Sequence, residues 1–295
     1  MRLVHLTDPH LTTLQGIPPG RLRGKRLLGY WSWYRKRRHL HSPARLAALT
    51  NAVAEDRPEQ IMVSGDLTHV GHPEEIAAAR TWLDRLGSIA PTLLVPGNHD
   101  LYAADSWSHV QQQWGAYLWS ADHDGETQAF PSSSTQAHVA LIGVSSARPT
   151  AFFSARGRLG DAQRRRLTAC LHGHAEARRF RCLMIHHPPL RGLTHWRRAL
   201  GDATELESLL RDCGVELILH GHLHRNLEYR LGNDTLVFST ASASCCLDTA
   251  EAAYRIFDIE PGTSGWQVSM ALKTVDARHR VQVVRTTSWT VRRPV

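Results

Sequence analysis

TLLVPGNHD, residues 92–100, is an apolar run that stops on a glycine and three polar side chains, Asn98, His99 and Asp100. A short apolar run broken by Pro-Gly marks a buried strand and a turn. The pattern recurs four times. RLVHLTDPH (2–10) runs into Asp8-x-His10, and QIMVSGD (60–66) into Gly65-Asp66. FRCLMIHH (180–187) runs into His186-His187, and VELILHGHLH (215–224) into Gly221-His222-x-His224. Helical patterns lie between these runs. Ser42-Pro43 opens one, since Ser caps and Pro suits the first turn, with Leu46, Leu49 and Val53 on one face. Pro73–Leu86 carries a stripe at Ile76, Ala79, Leu83 and Leu86, with Trp82 as a packing residue. Residues 161–172 and 203–213 read as further helices, and HVALIGV (138–144) as a strand. Beyond 225 the sequence turns to hairpins: NLEYRLGNDTLVFST with a Gly232-Asn233 turn, then strand-like pieces near 254–259 and 266–273. Alternating strands and helices followed by hairpins predict a single α/β domain over 1–295.

The polar residues at the five strand ends carry the chemistry. The carboxyl ends of strands are rigid while their loops leave room for a substrate. Asp8/His10 and His222/His224 are x-spaced pairs, which point to the same side of an extended segment. Imidazole, carboxylate and amide oxygen together suit Mn, Fe or Zn, whereas an all-oxygen set would suit Ca or Mg. Any one of these residues alone reads equally well as a hydrogen-bonded core residue; five such blocks in one chain do not. His69, His72, His172, His174 and His195 lack this context and are expected on the surface or in loops.

The order Asp-x-His, Gly-Asp, Gly-Asn-His-Asp, His-His-Pro, Gly-His-x-His resembles the calcineurin-like metallophosphoesterases, over roughly the first 245 residues. Only Pro9 departs from the usual pattern, at a position that offers no ligand side chain. The resemblance implies a four-layer αββα sandwich with mixed sheets. It implies two divalent or trivalent metal ions (Mn, Fe or Zn), one held by Asp8, His10, Asp66 and His224. The other is held by Asp66, Asn98, His186 and His222, with Asp66 bridging. A hydroxide bridging the ions would attack a phosphodiester or pyrophosphate bond, and His99 would serve the leaving oxygen. Asp100 would orient a neighbour, and His187 would stand behind His186. A scaffold of the same fold without activity is the alternative, and the intact ligand set argues against it.

The chain of 295 residues has a formal net charge of +8, and that charge is local. Between Leu11 and Ala54 there are nine Lys and Arg and no acid; without those nine, 26 bases face 27 acids, or −1. Residues 11–41 form an insertion without a clean period, expected at the mouth of the metal site. Within it, RLRGKRLLGYWSWYRKRRHLH (21–41) interleaves cations with Trp31, Trp33, Tyr30 and Tyr34. An apolar body with cationic tips suits an anionic membrane surface or a lipid-linked substrate. The alternative is that the aromatics pack on the domain and the arginines are merely solvated; nucleic acid, where arginine meets phosphate and aromatics stack on bases, is the less favoured partner. Trp31 and Trp33 are therefore candidate substrate contacts. Arg191, Arg197 and Arg198 after His-His-Pro-Pro, and Arg225 after His224, are candidate phosphate contacts.

Within the superfamily, the size and the Gly-Asn-His-Asp block are similar to two groups. One is the bacterial pyrophosphatases that cleave UDP-2,3-diacylglucosamine in lipid A synthesis, at a membrane surface; the other is the class III cyclic-nucleotide phosphodiesterases. The insertion favours the first. No run approaches the ~18 apolar residues of a membrane span. MRLVHLTDPHL lacks the ~7–15-residue apolar core of a signal peptide, so a cytosolic protein, peripheral on the inner face of the membrane, is expected. Five cysteines without a CxxC spacing indicate neither a disulfide framework nor a zinc ribbon. Residues 246–295 are β-rich and carry no signature.

Overall fold

The computed structural model describes residues 1–11, 14–118, 130–232, 235–247 and 250–292. In chain order the elements are β1 (Arg2–Leu6), α1 (Lys25–Arg35), α2 (Pro43–Glu55), β2 (Gln60–Val63), α3 (Pro73–Ile89), β3 (Thr92–Leu94) and α4 (Ser106–Leu118). There follow β4 (Ser132–Gln136), β5 (Val139–Val144), α5 (Asp161–Glu176), β6 (Phe180–Ile185), α6 (Ala203–Cys213) and β7 (Leu217–His220). The chain closes with β8 (Leu227–Leu231), β9 (Thr235–Ser239), β10 (Cys246–Leu247), β11 (Ala250–Pro261), β12 (Gly265–Val275) and β13 (Val281–Arg292).

The strands form two mixed sheets. One runs β13-β12-β11-β1-β2-β3, with β10 on β11, and its β1, β2 and β3 are parallel. The other runs β4-β5-β6-β7-β9-β8, with β5, β6, β7 and β9 parallel. The alternation of side chains along the second sheet sets the layers. Leu141, Cys182, Met184, Leu217, Leu219 and Phe238 face the first sheet and join its core, together with Leu49 of α2, Leu83 of α3 and Trp114 of α4. Their neighbours Ile142, Val144, Leu183, Ile185, Ile218 and Val237 face the other way, onto Leu167 and Leu171 of α5 and Leu206 and Leu210 of α6. The result is helix, sheet, sheet, helix: the four-layer αββα sandwich.

Local chemistry explains the helix starts. Ser42 accepts from the Arg45 N–H at 3.3 Å and caps α2. α3 begins with a capping box in which His72 accepts from Glu74 N–H and Glu75 from His72 N–H. Trp82 is buried, its indole donating to Thr50 Oγ1 at 3.2 Å.

Several elements have no clear period in the sequence. α1 lies inside the insertion and buries only Gly29 and Trp33. Its aromatics fall all round the helix because the cluster it joins, Leu14, Ile17, Leu22, Trp33 and Val70, is small. α4 is rich in Gln and Ser, yet Val110, Trp114 and Leu118 recur every fourth residue on its buried side. β13 is an edge strand exposed along most of its length, so it carries no alternation to read. Of the expected Gly232-Asn233 turn, Asn233 lies outside the described residues. No helix among the described residues is long and apolar enough to cross a membrane.

Trp114 is fully buried and its indole donates to Ile76 O at 2.9 Å, tying α4 to α3. Trp114→Ala should cost about 3–5 kcal/mol of unfolding free energy in urea titration, with the m-value unchanged.

Candidate metal centre

Five strands from both sheets end at one place: β1 and β2 lead to Asp8, His10 and Asp66, and β3 to Asn98 and His99. β6 leads to His186, and β7 to His222 and His224. The ligand atoms of Asp8, His10 and His224 lie within 4.8 Å of one another, as do those of Asp66, His186 and His222. An overlapping group joins His10, Asp66 and His99. His224 Nε2 is 3.2 Å from Asp8 Oδ1 and 3.3 Å from His10 Nε2. His186 Nε2 is 3.3 Å from Asp66 Oδ2, 3.2 Å from Asn98 Oδ1 and 3.2 Å from His222 Nδ1.

Separations between donor atoms of about 3.3 Å are the edges of a tetrahedron around an ion with ligands at about 2.0–2.1 Å. Two ring nitrogens facing at that distance cannot both donate and cannot both accept. Asp8 Oδ1 and His222 Nε2 are buried with no hydrogen-bond partner of good geometry, which is costly unless a cation takes them up. The residues present therefore fit metal ions, and the mixed N/O set suits Mn, Fe or Zn.

The backbone is bent to achieve this. Asp8, His10, Asp66, His222 and His224 all have φ between 39° and 68°, the left-handed region that non-glycine residues rarely enter. Two glycines leave the necessary room. A Cβ on Gly97 would stand 2.1 Å from Asp66 Oδ1, and one on Gly221 would stand 1.9 Å from Thr7 Oγ1. Asp100 holds the two loops together. Its Oδ2 accepts from the N–H of Asp66 and Gly97, and its Oδ1 from those of Leu67 and Thr68, at 2.8–3.0 Å. Main-chain carbonyls fix the rings: His10 Nδ1 donates to Thr68 O (3.0 Å) and His186 Nδ1 to Ser64 O (2.7 Å), turning each Nε2 inward. His187 spends both ring nitrogens elsewhere, on Ser146 Oγ and Ala155 O.

A cleft of about 590 Å³ opens over this cluster. Asp66, Asn98, His99, His222 and His224 line one side of it. Lys25, Leu28 and Arg37 of the insertion, with Tyr102, Phe152, Phe153 and Arg198, line the rest.

A sequence profile described as calcineurin-like phosphoesterase matches residues 1–226. The chain belongs to that family. A probable cyclic nucleotide phosphodiesterase of Synechococcus is 28% identical over 240 residues, 80% of this chain and 85% of that protein. A glycerophosphodiester phosphodiesterase of Enterobacter lignolyticus is 49% identical over 45 residues, a match that spans 15% of this chain and 16% of that protein. Among solved structures, a dimetal phosphatase from Danio rerio superposes with a TM-score of 0.65 at 14% identity, covering 99% of each chain. This phosphoesterase is accordingly a metal-dependent phosphoric ester hydrolase that takes two divalent metal ions.

The other expected contacts of the phosphoesterase are dispersed. Arg191, Arg197 and Arg225 are exposed and do not line the cleft, with Arg197 over the Trp196 ring; Arg198, the other candidate after His-His-Pro-Pro, does line it. Trp31 is exposed on α1, edge-on to Tyr34, and also lies off the cleft lining. Trp33 is only 3% exposed and packs in the insertion's own cluster, so it is closed to a ligand. His69 lies in a loop, as expected, but not at the surface: it is fully buried, stacked 5.3 Å from His10, because residues 67–72 fold over that ring. Arg37, Lys25 and Tyr102 face the cleft without having been singled out, and nothing in the run Arg35-Lys36-Arg37-Arg38 distinguishes Arg37 from its neighbours.

Charge is unevenly held here. Burial pulls the His186 imidazole down, but Asp66, beside it, and Asp8 outweigh burial and push it up to about 9. Burial, with neighbouring imidazoles, holds His10 and His222 well below the ordinary value. Burial first and the Asp66 charge second push the Asp100 carboxyl up to about 7. A ligand imidazole must be neutral, so a metal ion held by His186 and His224 would displace the protons that Asp66 and Asp8 favour on these rings. Metal affinity should therefore rise as pH climbs towards about 9 and level off above it. Calorimetry in buffers of different ionisation enthalpy should detect more proton release near neutral pH than above that value. In Asp66→Ala, metal content measured by plasma mass spectrometry should fall by at least one ion per chain.

Proposed function

We propose that the chain hydrolyses a phosphodiester or pyrophosphate bond, with Asp8, His10, Asp66, Asn98, His186, His222 and His224 holding the two ions. The ions, when bound, supply Lewis-acid polarisation of the phosphoryl oxygens and acidify water at neutral pH. Asp66 stands between the two ligand groups and serves both. His99 serves the leaving oxygen. Its Nδ1–H is committed to His69 O at 2.6 Å, so the task falls to Nε2, which Arg37 Nη1 approaches at 3.3 Å. Burial holds this ring down to about 4 in the free protein, against the pull of Asp66. An anionic phosphoryl group entering the cleft favours the imidazolium that donates the proton.

The observation that carries the substrate reading is the shared lining of the cleft. Leu28, Phe152 and Phe153, which are 47%, 53% and 82% exposed, border the same space as the metal ligands. Trp31 and Tyr34 extend this apolar surface along α1, beside the exposed cations Arg35, Lys36 and Arg38. A lipid-linked substrate of the UDP-2,3-diacylglucosamine kind, taken from an anionic membrane surface, matches that combination. The second reading, a cyclic-nucleotide phosphodiesterase, draws on the Synechococcus relative, whose similarity spans 80% of the chain.

The test is side-by-side turnover, with Mn, of bis-p-nitrophenyl phosphate, cyclic AMP and UDP-2,3-diacylglucosamine. The phosphoesterase reading expects hydrolysis of the first, abolished in Asp66→Ala. The lipid reading expects the acylated substrate to exceed cyclic AMP in kcat/KM. It also expects flotation with anionic liposomes, lost when Trp31, Tyr34 and Phe153 are changed to Ala. Preference for cyclic AMP, with no flotation, overturns the lipid reading and leaves the phosphoesterase reading standing.

A further inference from the structure

The insertion sends one cation into the metal cleft that its surroundings leave uncompensated. Arg37 follows α1, at the start of a single 3-10 turn, Arg37–His39. One terminal nitrogen lies 3.3 and 3.4 Å from the two ring nitrogens of His99, which places it across the imidazole rather than at one atom. The other donates to Gly29 O at 3.2 Å, and Nε is buried without a partner.

Most other cations of the segment are engaged elsewhere. Arg21 pairs with Glu74 and Arg26 with Asp105. Arg35 and Arg38 lie against Trp31 and Tyr34. Lys25, the other cation from the segment in the cleft lining, donates to Thr150 Oγ1 and Ser154 O. Arg37 has no ion-pair partner among the described residues, and Asp66 and Glu75 act on it only through space. Arg37 is half-buried at the cleft wall with no such partner, so an anion entering the cleft finds there a cation that is only partly solvated. α1 is fixed where it can deliver this side chain: a Cβ on Gly29 would stand 2.7 Å from Tyr102 Oη, so α1 packs directly on the residue stacked against His99.

We propose that Arg37 binds the non-bridging oxygens of the scissile phosphoryl group, facing the metal ligands across the cleft. The inference rests on the phosphoesterase reading for the identity of the bond cleaved. The planar guanidinium fork matches a phosphoryl group, and both Nε and the nitrogen over His99 have no oxygen acceptor of their own. Arg37 thereby takes a role that Arg191, Arg197 and Arg225, off the cleft, do not fill, with Arg198 the exposed cation on the same lining. It belongs to the insertion, so the segment that shapes substrate entry also grips the reacting group.

The test uses the metal-loaded chain with inorganic phosphate as the probe, by calorimetry, alongside bis-p-nitrophenyl phosphate turnover. Arg37→Gln should weaken phosphate binding and lower kcat/KM by about 10- to 100-fold each, the loss of a charged hydrogen-bonded contact. Arg37→Lys should recover part of both, and both variants should keep two ions per chain. Phosphate affinity within twofold of wild type in Arg37→Gln overturns the proposal. So does a loss of bound metal that accounts for the weakening, because Arg37 would then hold the site and not the substrate. If the wild type binds phosphate but cleaves no diester, the phosphoesterase reading fails while calorimetry still decides on Arg37.

Discussion

The junction between the loops after β2 and β3 is the constraint on which the centre depends. Asp100 draws four backbone N–H groups from Asp66, Leu67, Thr68 and Gly97 onto one buried carboxylate. Gly97, bare of a side chain, lets Asp66 approach so closely that any Cβ would collide with its carboxylate. Asp66 in turn takes the N–H of His99 at 2.7 Å. The residue that stands between both ligand groups is thus locked by main-chain contacts. A left-handed φ at Asp66 is tolerated because these contacts overdetermine it.

From that junction the site extends into both sheets. His186 reaches in from β6 and anchors on Ser64 O beside Asp66, and His222 N–H donates to Asp8 Oδ2 across the sheet interface. Packing the two sheets face to face is therefore what closes the ligand set. The electrostatics follow from the same closeness. Imidazoles crowd within about 5 Å of one another, and two buried carboxylates decide which of them hold protons.

The strands and the candidate ligands at their ends were legible because each of these side chains follows its strand by one to four residues. A run of apolar residues ending in Asp or His needs no tertiary information to be noticed. The C-terminal sheet was legible only where one face is buried, as in β11 and β12; β13 lacks such a face. The burial of His69 depends on the loop folding back over His10, a contact that neighbouring residues do not encode. Arg37 was hidden for a related reason. Its neighbours carry the same charge, and only the turn ending α1 selects which guanidinium enters the cleft. Arg225 shows the converse, since adjacency to His224 in sequence left it pointing to solvent.

We propose that one buried aspartate, Asp66, joins two metal ions at the ends of strands from both sheets. Crystals of the metal-loaded protein, measured at the absorption edge of the bound metal, test it most directly. Two anomalous peaks about 3.5–4 Å apart are expected, one among Asp8, His10 and His224 and one among Asn98, His186 and His222, with Asp66 between them. A single peak, or two peaks that persist unchanged in Asp66→Ala, would contradict it.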